Sequence, residues 1–330
     1  MDKKYIFVEH YLDENKQPAT RHIYEMSEKE FSKIALANET VFNIYRLEEL
    51  LATLIDNFFE FNNVILAYAE KARIQSLFRG NYFQKRIDVN RTALNFFATL
   101  NMYQDFVKEH IEDADITNFF DTNKAFQRCL VMRNYIQHVD FFPIISNVSY
   151  TRCDINVMLA SVRFQIKAID LNICQLHKET RKKFHKYFTL EEKIDLYEII
   201  NQGMSEIQNI QSKIRKMPLY TVDYVESKAF LLEIEKKISR KDSSVIGPPH
   251  YYESCGDKND LKTCFVATDT IKFIDENIKC YPCDYSNSNQ FVTTAPQEFV
   301  KKCSDKLFSP VVAPRLQEEA QKRLNGNSDA

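Results

Sequence analysis

Apolar residues recur every three or four positions along most of the chain, a spacing that places them on one face of an α-helix. The clearest run extends from Val41 to about Ala69 and includes Leu47, Leu51 and Leu54. A second stripe, from Leu196 to Ile214, follows the capping-box sequence at 189–192. The same reasoning predicts further helices at about 28–37, 89–111, 123–140, 171–188 and 227–238.

Two parts of the chain favour strands instead. Residues Lys4–Leu12 and Thr20–Met26 are short β-forming runs joined by a polar segment that contains Pro18, which predicts an N-terminal hairpin. Residues 141–166 are rich in Val, Ile, Ser, Thr and Phe and contain Pro143, which predicts strands or irregular structure inserted among the helices.

These patterns predict a mainly α protein whose helices form an antiparallel bundle. The chain has 330 residues with only 5 Gly and 9 Pro, a composition that argues against an all-β sandwich. After residue 240 the composition changes, with several cysteines and short β-forming runs. We therefore expect a helical domain with its hairpin at 1–240, a small irregular module at 241–310 and a polar tail at 311–330.

Charge and cysteine content limit the choice of compartment and partner. The net charge is −2, so any site for nucleic acid must be a local patch. The charged N-terminal segment does not resemble a signal peptide, and we find no apolar run of membrane-spanning length. We expect a cytoplasmic protein that does not enter a membrane, whose 8 cysteines are free thiols or metal ligands.

The most basic segment lies at 177–187 and interleaves aromatic residues with cations. Lysine and arginine can hold phosphates while aromatic rings stack on bases, so this segment is a candidate RNA contact. The other interpretation is a solvated helix face. The candidate RNA-binding residues are Lys178, Arg181, Lys182, Lys183 and Lys186.

Four cysteines near the C-terminus suggest a metal site. Cys280 and Cys283 form a C-x2-C pair. Cys255 and Cys264 precede this pair in the sequence, and His250 is near them. Four thiolates, or three thiolates and the imidazole, could hold a structural zinc ion that stabilises a module with little core. Unligated thiols are the alternative interpretation, because only one half of the set has a zinc-like spacing.

Arg133, Asn134 and His138 lie in the segment RNYIQH of the helix predicted at 123–140. This segment resembles the R-x4-6-H signature of HEPN domains, including the polar residue after the arginine. Flanking sequences resemble a broad group of bacterial HEPN-like proteins over roughly residues 1–217. They are Asn90-Arg91, Leu94-Asn95-Phe96, Tyr103-Gln104-Asp105 and the segment from Lys193 to Arg215.

The resemblance implies a ribonuclease that needs no metal for catalysis. Histidine, with an ordinary pKa of about 6.5, would take the proton of the ribose 2′-hydroxyl, and arginine would stabilise the negative charge on the phosphate. Arg133 and His138 diverge by about 140° around a helix axis, whereas Asn134 and His138 share a face. We therefore expect Asn134 to position His138, and Arg133 to wrap around or meet the histidine of a second copy in a homodimer.

Such enzymes act as toxins or antiviral defence effectors, restrained by an antitoxin or another regulatory protein. Two alternatives stay open. A HEPN scaffold could bind nucleotide, RNA or protein without cutting it, and Arg133 and His138 could be ordinary residues of a helix end.

Overall fold

The computed structural model describes residues 4–74, 82–154, 157–238, 250–255, 258–264 and 268–281. It describes the backbone alone for 4, 73–74, 82, 149–154, 157–161, 252–255, 258–264 and 268. The described residues are mainly helical, with two small sheets. The helices are α1 (Glu28–Ile74), α2 (Tyr82–His110), α3 (Ala114–Thr122), α4 (Lys124–His138), α5 (Lys178–Tyr187), α6 (Leu196–Ile214), α7 (Tyr224–Ile238) and α8 (Thr268–Cys280). The strands are β1 (Lys4–Leu12), β2 (Pro18–Met26), β3 (Ile145–Asp154), β4 (Val157–Lys167), β5 (Lys193–Asp195), β6 (His250–Cys255) and β7 (Lys258–Cys264).

The chain packs as two compact units. Unit 1 contains the described residues of 1–53, 105–112 and 208–281, and unit 2 contains those of 54–104 and 113–207. Helices α1, α2 and α6 each supply residues to both units. The domain boundary predicted at residue 241 therefore lies inside the range of unit 1 and does not separate the two units.

Unit 1 is built on an antiparallel sheet with the strand order β2-β1-β6-β7. The predicted N-terminal hairpin is present, and Asp13 closes its turn by accepting the amides of Asn15 and Gln17 at 2.8 Å. Strand β6 pairs with β1, with Phe7 opposite Tyr251. The predicted irregular C-terminal module is therefore wrong for these residues, because the β6–β7 hairpin completes the N-terminal sheet.

Helix α1 begins at Glu28, as predicted. Ser27 Oγ accepts the amide of Glu30 at 3.2 Å, and the Glu30 carboxylate accepts the hydroxyl of Tyr24 at 2.7 Å. The expected break near residue 38 is absent, because Asn38 is buried within a continuous helix that contains no Gly or Pro there. The two predicted helices are one.

One 18-residue window of α1 has a mean hydropathy of 1.2, so by length and composition alone it could cross a membrane. The sequence prediction did not anticipate this. Leu47, Leu51, Leu54 and Phe58 of this helix are each at most 1% exposed, which is also the pattern of a core helix in a folded protein.

The carboxylate of Glu48 is fully buried in unit 1 and is bonded by four residues. Arg215 donates from Nε at 2.9 Å and from Nη2 at 2.5 Å. The hydroxyl of Tyr220 donates at 2.8 Å, the amide of Asn277 at 2.7 Å and that of Gln211 at 3.0 Å. This cluster joins α1, the end of α6, the turn before α7, and α8.

Unit 2 contains a second antiparallel sheet, with the order β3-β4-β5. The predicted β-forming insert is present, but the helix after the capping box begins later than predicted. Glu192 accepts the amide of Thr189 at 3.4 Å, after which the chain forms β5. Asp195 instead caps α6 by accepting the amide of Tyr197 at 3.0 Å.

Two other helix predictions need correction in unit 2. The helix predicted at 171–188 is shorter, because short 3-10 turns at Ala168–Asp170 and Ile173–Gln175 precede α5. The short helix α3 was not predicted, although Asp113 marks its start by accepting the amide of Ile116 at 2.9 Å.

Helices α4 and α6 approach each other closely at Gly203. A Cβ atom added to Gly203 would lie 2.5 Å from Sγ of Cys129 and 3.6 Å from Cδ1 of Leu100. The Cys129 thiol is buried and donates to the carbonyl of Ile199 at 3.4 Å, so it is held in place. Burial also raises the pKa of this thiol to about 12, which keeps it protonated.

We predict that Arg215→Met lowers the free energy of unfolding by about 3–5 kcal/mol, because it leaves the buried Glu48 carboxylate without its cation. Denaturant unfolding followed by circular dichroism measures the change. The matched control is Lys237→Met, since Lys237 pairs with Glu233 at 3.2 Å on the surface. This control should lose less than about 1 kcal/mol. Equal losses in the two variants would refute the structural importance of the buried pair.

We also predict that Gly203→Ala destabilises the protein by about 1–3 kcal/mol through overpacking against Cys129. In an open helix the same change would stabilise by up to about 1 kcal/mol, so the sign of the effect is diagnostic. Adding Cys129→Ala should recover part of the loss in a double-mutant cycle, with Cys129→Ala alone as the control. A Gly203→Ala protein as stable as the parent would contradict the close approach.

Candidate functional site

Helix α4 carries the three predicted catalytic residues and lies wholly in unit 2. As predicted, its start is at Asn123, whose side chain accepts the amide of Phe126 at 2.9 Å. Phe126, Val131 and Met132 are fully buried, and further buried residues lie around most of the helix. The helix is therefore packed into the protein along its length, and its last residues, Gln137 and His138, are exposed.

Arg133 and His138 reach the surface to different degrees. Arg133 is half-buried, and its Nη1 donates to Oδ1 of Asn134 at 2.8 Å. The Nε of Arg133 is buried and has no hydrogen-bond partner among the described residues. His138 is the last residue of α4 and is exposed, without a hydrogen-bonding partner in the part of the chain that the structure describes.

The contact of Asn134 differs from the predicted one. We expected Asn134 to orient His138 one turn further along, but its side-chain oxygen accepts from Arg133. The amide therefore fixes the guanidinium, and the imidazole is left to face solvent. The structure brings Arg133 and Asn134 together and places His138 at the end of the same helix.

The segment after His138 is anchored to α2 by Asn90. The buried Asn90 side chain accepts the Phe142 amide at 2.7 Å and donates to the Phe142 carbonyl at 3.3 Å. Arg86, one turn earlier, donates to the carbonyls of Phe142 at 3.2 Å and Phe141 at 3.3 Å. The sequence analysis identified Asn90 only as part of a flanking sequence that resembles HEPN-like proteins. No local sequence pattern indicates that Asn90 anchors the segment after α4.

Tyr135 supports the same segment from within the helix. Its ring stacks on that of Phe142, with 5.7 Å between centroids and 14° between planes. Its hydroxyl accepts the amide of Asn172 at 3.3 Å. Burial raises the pKa of Tyr135, so the phenol stays neutral and acts as a support.

The basic segment forms α5, which packs beside α4. Lys178, Lys182, Lys183 and Lys186 are exposed along it, and Phe184 is the buried anchor. At the end of α5, Phe188 lies under the guanidinium of Arg128 of α4, 4.6 Å from its ring centroid.

Arg181 is the exception among the five predicted RNA-binding residues. Its Nη2 donates to the carbonyls of Cys174 at 2.5 Å and Leu176 at 3.1 Å, and the side chain is half-buried. This arginine satisfies the carbonyls of the turn before α5. A role in positioning the helix therefore accounts for Arg181 without RNA.

The predicted zinc ligands do not converge in the sheet. Cys255 is paired with Lys258 and Cys264 with His250, at opposite ends of the β6–β7 hairpin and about 17 Å apart along the strand. One tetrahedral ion cannot bind both. Cys280 is an exposed free thiol at the end of α8, and Cys283 lies outside the described residues. Within the described side chains, no group of three or more possible ligands could hold a metal.

Lys85 belongs to a cluster of charged and aromatic side chains near the start of α2. It is 7% exposed, and its Nζ lies 5.8 Å from the ring centroid of Tyr68. Lys71 lies 5.0 Å from the same centroid, and Asp88 accepts the Tyr68 hydroxyl at 2.6 Å. Burial first, and then Lys71, lowers the pKa of Lys85.

Unit 1 contains a separate groove of about 480 Å³ between α7 and α8. Its walls are mainly apolar, with Val225 and Leu232 among them. The polar side chains at its edge bond to each other, because Tyr224 and Lys228 both donate to Asp275. The groove contains none of the predicted catalytic residues.

Comparisons of the chain with protein-family models, curated proteins and solved structures find no match. The case for a function therefore depends on the residues of α4 and their surroundings.

We predict that Asn90→Ala destabilises the protein by about 2–4 kcal/mol, because it leaves the Phe142 amide without its acceptor. Thermal or denaturant unfolding measures the loss, and hydrogen exchange at the Phe142 amide should accelerate. Asn57→Ala is the control, since Asn57 makes one half-buried bond to Thr99 at 2.8 Å and should cost about 1 kcal/mol. An unchanged exchange rate at Phe142 would show that Asn90 does not anchor the segment.

Proposed function

We propose that this protein is a metal-independent endoribonuclease of HEPN type with an antiparallel helical bundle. The observation that carries the proposal is the arrangement on α4, where a half-buried Arg133 is held by Asn134 and His138 is exposed at the helix end. A fixed cation and an accessible imidazole are the groups that cleavage of RNA through its own 2′-hydroxyl needs.

In the proposed reaction His138 takes the proton of the ribose 2′-hydroxyl. The RNA is bound either by the same copy of the chain or by the second copy of a dimer. The 2′-oxygen then bonds to the adjacent phosphorus, and the bond to the 5′-oxygen of the next nucleotide breaks. A proton is returned to that 5′-oxygen, giving a 5′-hydroxyl and a 2′,3′-cyclic phosphate. Arg133 stabilises the charge that grows on the phosphoryl oxygens.

Helix α5 supplies a surface for the RNA backbone. Lys178, Lys182, Lys183 and Lys186 are exposed along α5, which packs beside α4. A net charge of −2 on the whole chain means that attraction must come from such a local row. Binding through these lysines would weaken steeply as salt rises.

The proposal includes a second copy of the chain. Arg133 and His138 diverge around the helix axis by about 140°, so a twofold dimer would bring the histidine of one copy to the arginine of the other. We further propose that the protein acts in the cytoplasm as a toxin or defence effector and that a partner protein restrains it.

The test is cleavage of mixed RNA in the presence of a chelator. The parent should cut RNA and leave DNA of the same sequence intact, because DNA has no 2′-hydroxyl. His138→Ala and Arg133→Ala should each lose at least about 100-fold in rate. Mass spectrometry of the products should find the 2′,3′-cyclic phosphate.

The controls are His22→Ala and Arg91→Ala, which remove an exposed histidine of β2 and an exposed arginine of α2 that pairs with Glu60. Both should cut at the parental rate. Equal cleavage by His138→Ala and the parent would refute the assignment of His138. RNA binding without cleavage by the parent would favour a non-catalytic scaffold.

A further inference from the structure

Phe141 is a large apolar side chain that is 44% exposed three residues after His138. Its backbone is fixed on both sides. The Phe141 amide donates to Oδ1 of Asp140 at 2.6 Å, and its carbonyl accepts from Arg86 at 3.3 Å. The next residue, Phe142, is fixed by Asn90. The exposed ring is thus carried on a backbone that is held by hydrogen bonds.

A backbone held by hydrogen bonds matters because a mobile segment would lose more conformational freedom on binding. Phe142 points inward and stacks on Tyr135, whereas its neighbour Phe141 stays at the surface. Of these two adjacent aromatic residues, Phe142 therefore contacts the core and Phe141 faces solvent.

The distance from His138 suits a nucleotide. Three residues of extended chain span at most about 11 Å, so the Cα atoms of His138 and Phe141 are no further apart than this, a distance that a phosphate and a neighbouring base can span. The guanidinium of Arg86 also lies near Phe141, because it donates to the Phe141 and Phe142 carbonyls. The Asp140 carboxylate repels phosphate, whereas the guanidinium of Arg86, which reaches this segment from α2, attracts it.

We propose that Phe141 is a stacking platform for an unpaired base of single-stranded RNA beside the cleaved phosphate. The inference rests on the proposed function and adds a substrate preference to it. Stacking on one ring tolerates any base but requires that the base be unstacked and unpaired. Single strands and loops are therefore the expected substrates, and duplex RNA is not.

The test measures binding of a fluorescent single-stranded RNA by anisotropy, in a His138→Ala background so that RNA is not consumed. Phe141→Ala should weaken binding about 5- to 150-fold, and Phe141→Tyr should stay within about 2-fold of the background protein. The slope of log Kd against log salt should not change in Phe141→Ala, because no phosphate contact is removed. Replacing Lys182 and Lys183 with alanine should lower that slope.

Phe59→Ala is the matched control, since Phe59 of α1 is also an exposed phenylalanine, at 37%, and should bind as the background protein does. Circular dichroism melting of each variant checks the fold. Unchanged affinity in Phe141→Ala, an equal loss in Phe59→Ala, or a failure of tyrosine to restore binding would overturn the stacking platform.

The two proposals fail in different ways. If the parent does not cut RNA but Phe141→Ala weakens binding, the ribonuclease proposal fails and the stacking platform stands. If the parent cuts RNA and Phe141→Ala binds and cuts as well as its parent, the platform fails and the ribonuclease proposal stands.

Discussion

The buried carboxylate of Glu48 imposes the strictest constraint on unit 1. A charge removed from water must receive its hydrogen bonds from the protein, and Glu48 receives them from Arg215, Tyr220, Gln211 and Asn277. Each donor comes from a part of the chain more than a hundred residues away. The charge therefore selects one arrangement of these segments, since any other would leave the carboxylate unpaired in the interior.

In unit 2 a neutral side chain, the amide of Asn90, holds distant segments together. Asn90 can satisfy the amide and the carbonyl of one residue at once, as the ladder of a sheet does, and it does so for Phe142. Because Phe142 follows α4 closely, the same contact fixes where the exposed end of that helix lies. The position of His138 thus depends on an asparagine that has no chemical role in the proposed reaction.

The sequence predicted best what local patterns determine. The N-terminal hairpin, the start of α1 at Ser27 and the start of α4 at Asn123 each follow from a few adjacent residues. It failed where a contact between distant segments decides the outcome, as in the pairing of β6 with β1. It also placed all five cations of α5 on RNA, because spacing alone cannot show that Arg181 is bonded to carbonyls before the helix.

The local chemistry of α4 suggests why Asn134 contacts Arg133 and leaves the histidine free. A guanidinium is charged at every physiological pH, so it can be fixed in advance against the phosphate without losing function. An imidazole that exchanges protons needs access to both substrate and solvent, and a strong permanent partner would hold it in one protonation state. If RNA is cleaved as proposed, the bond to Asn134 would hold the positive charge of Arg133 in place while the exposed His138 exchanges protons with the substrate.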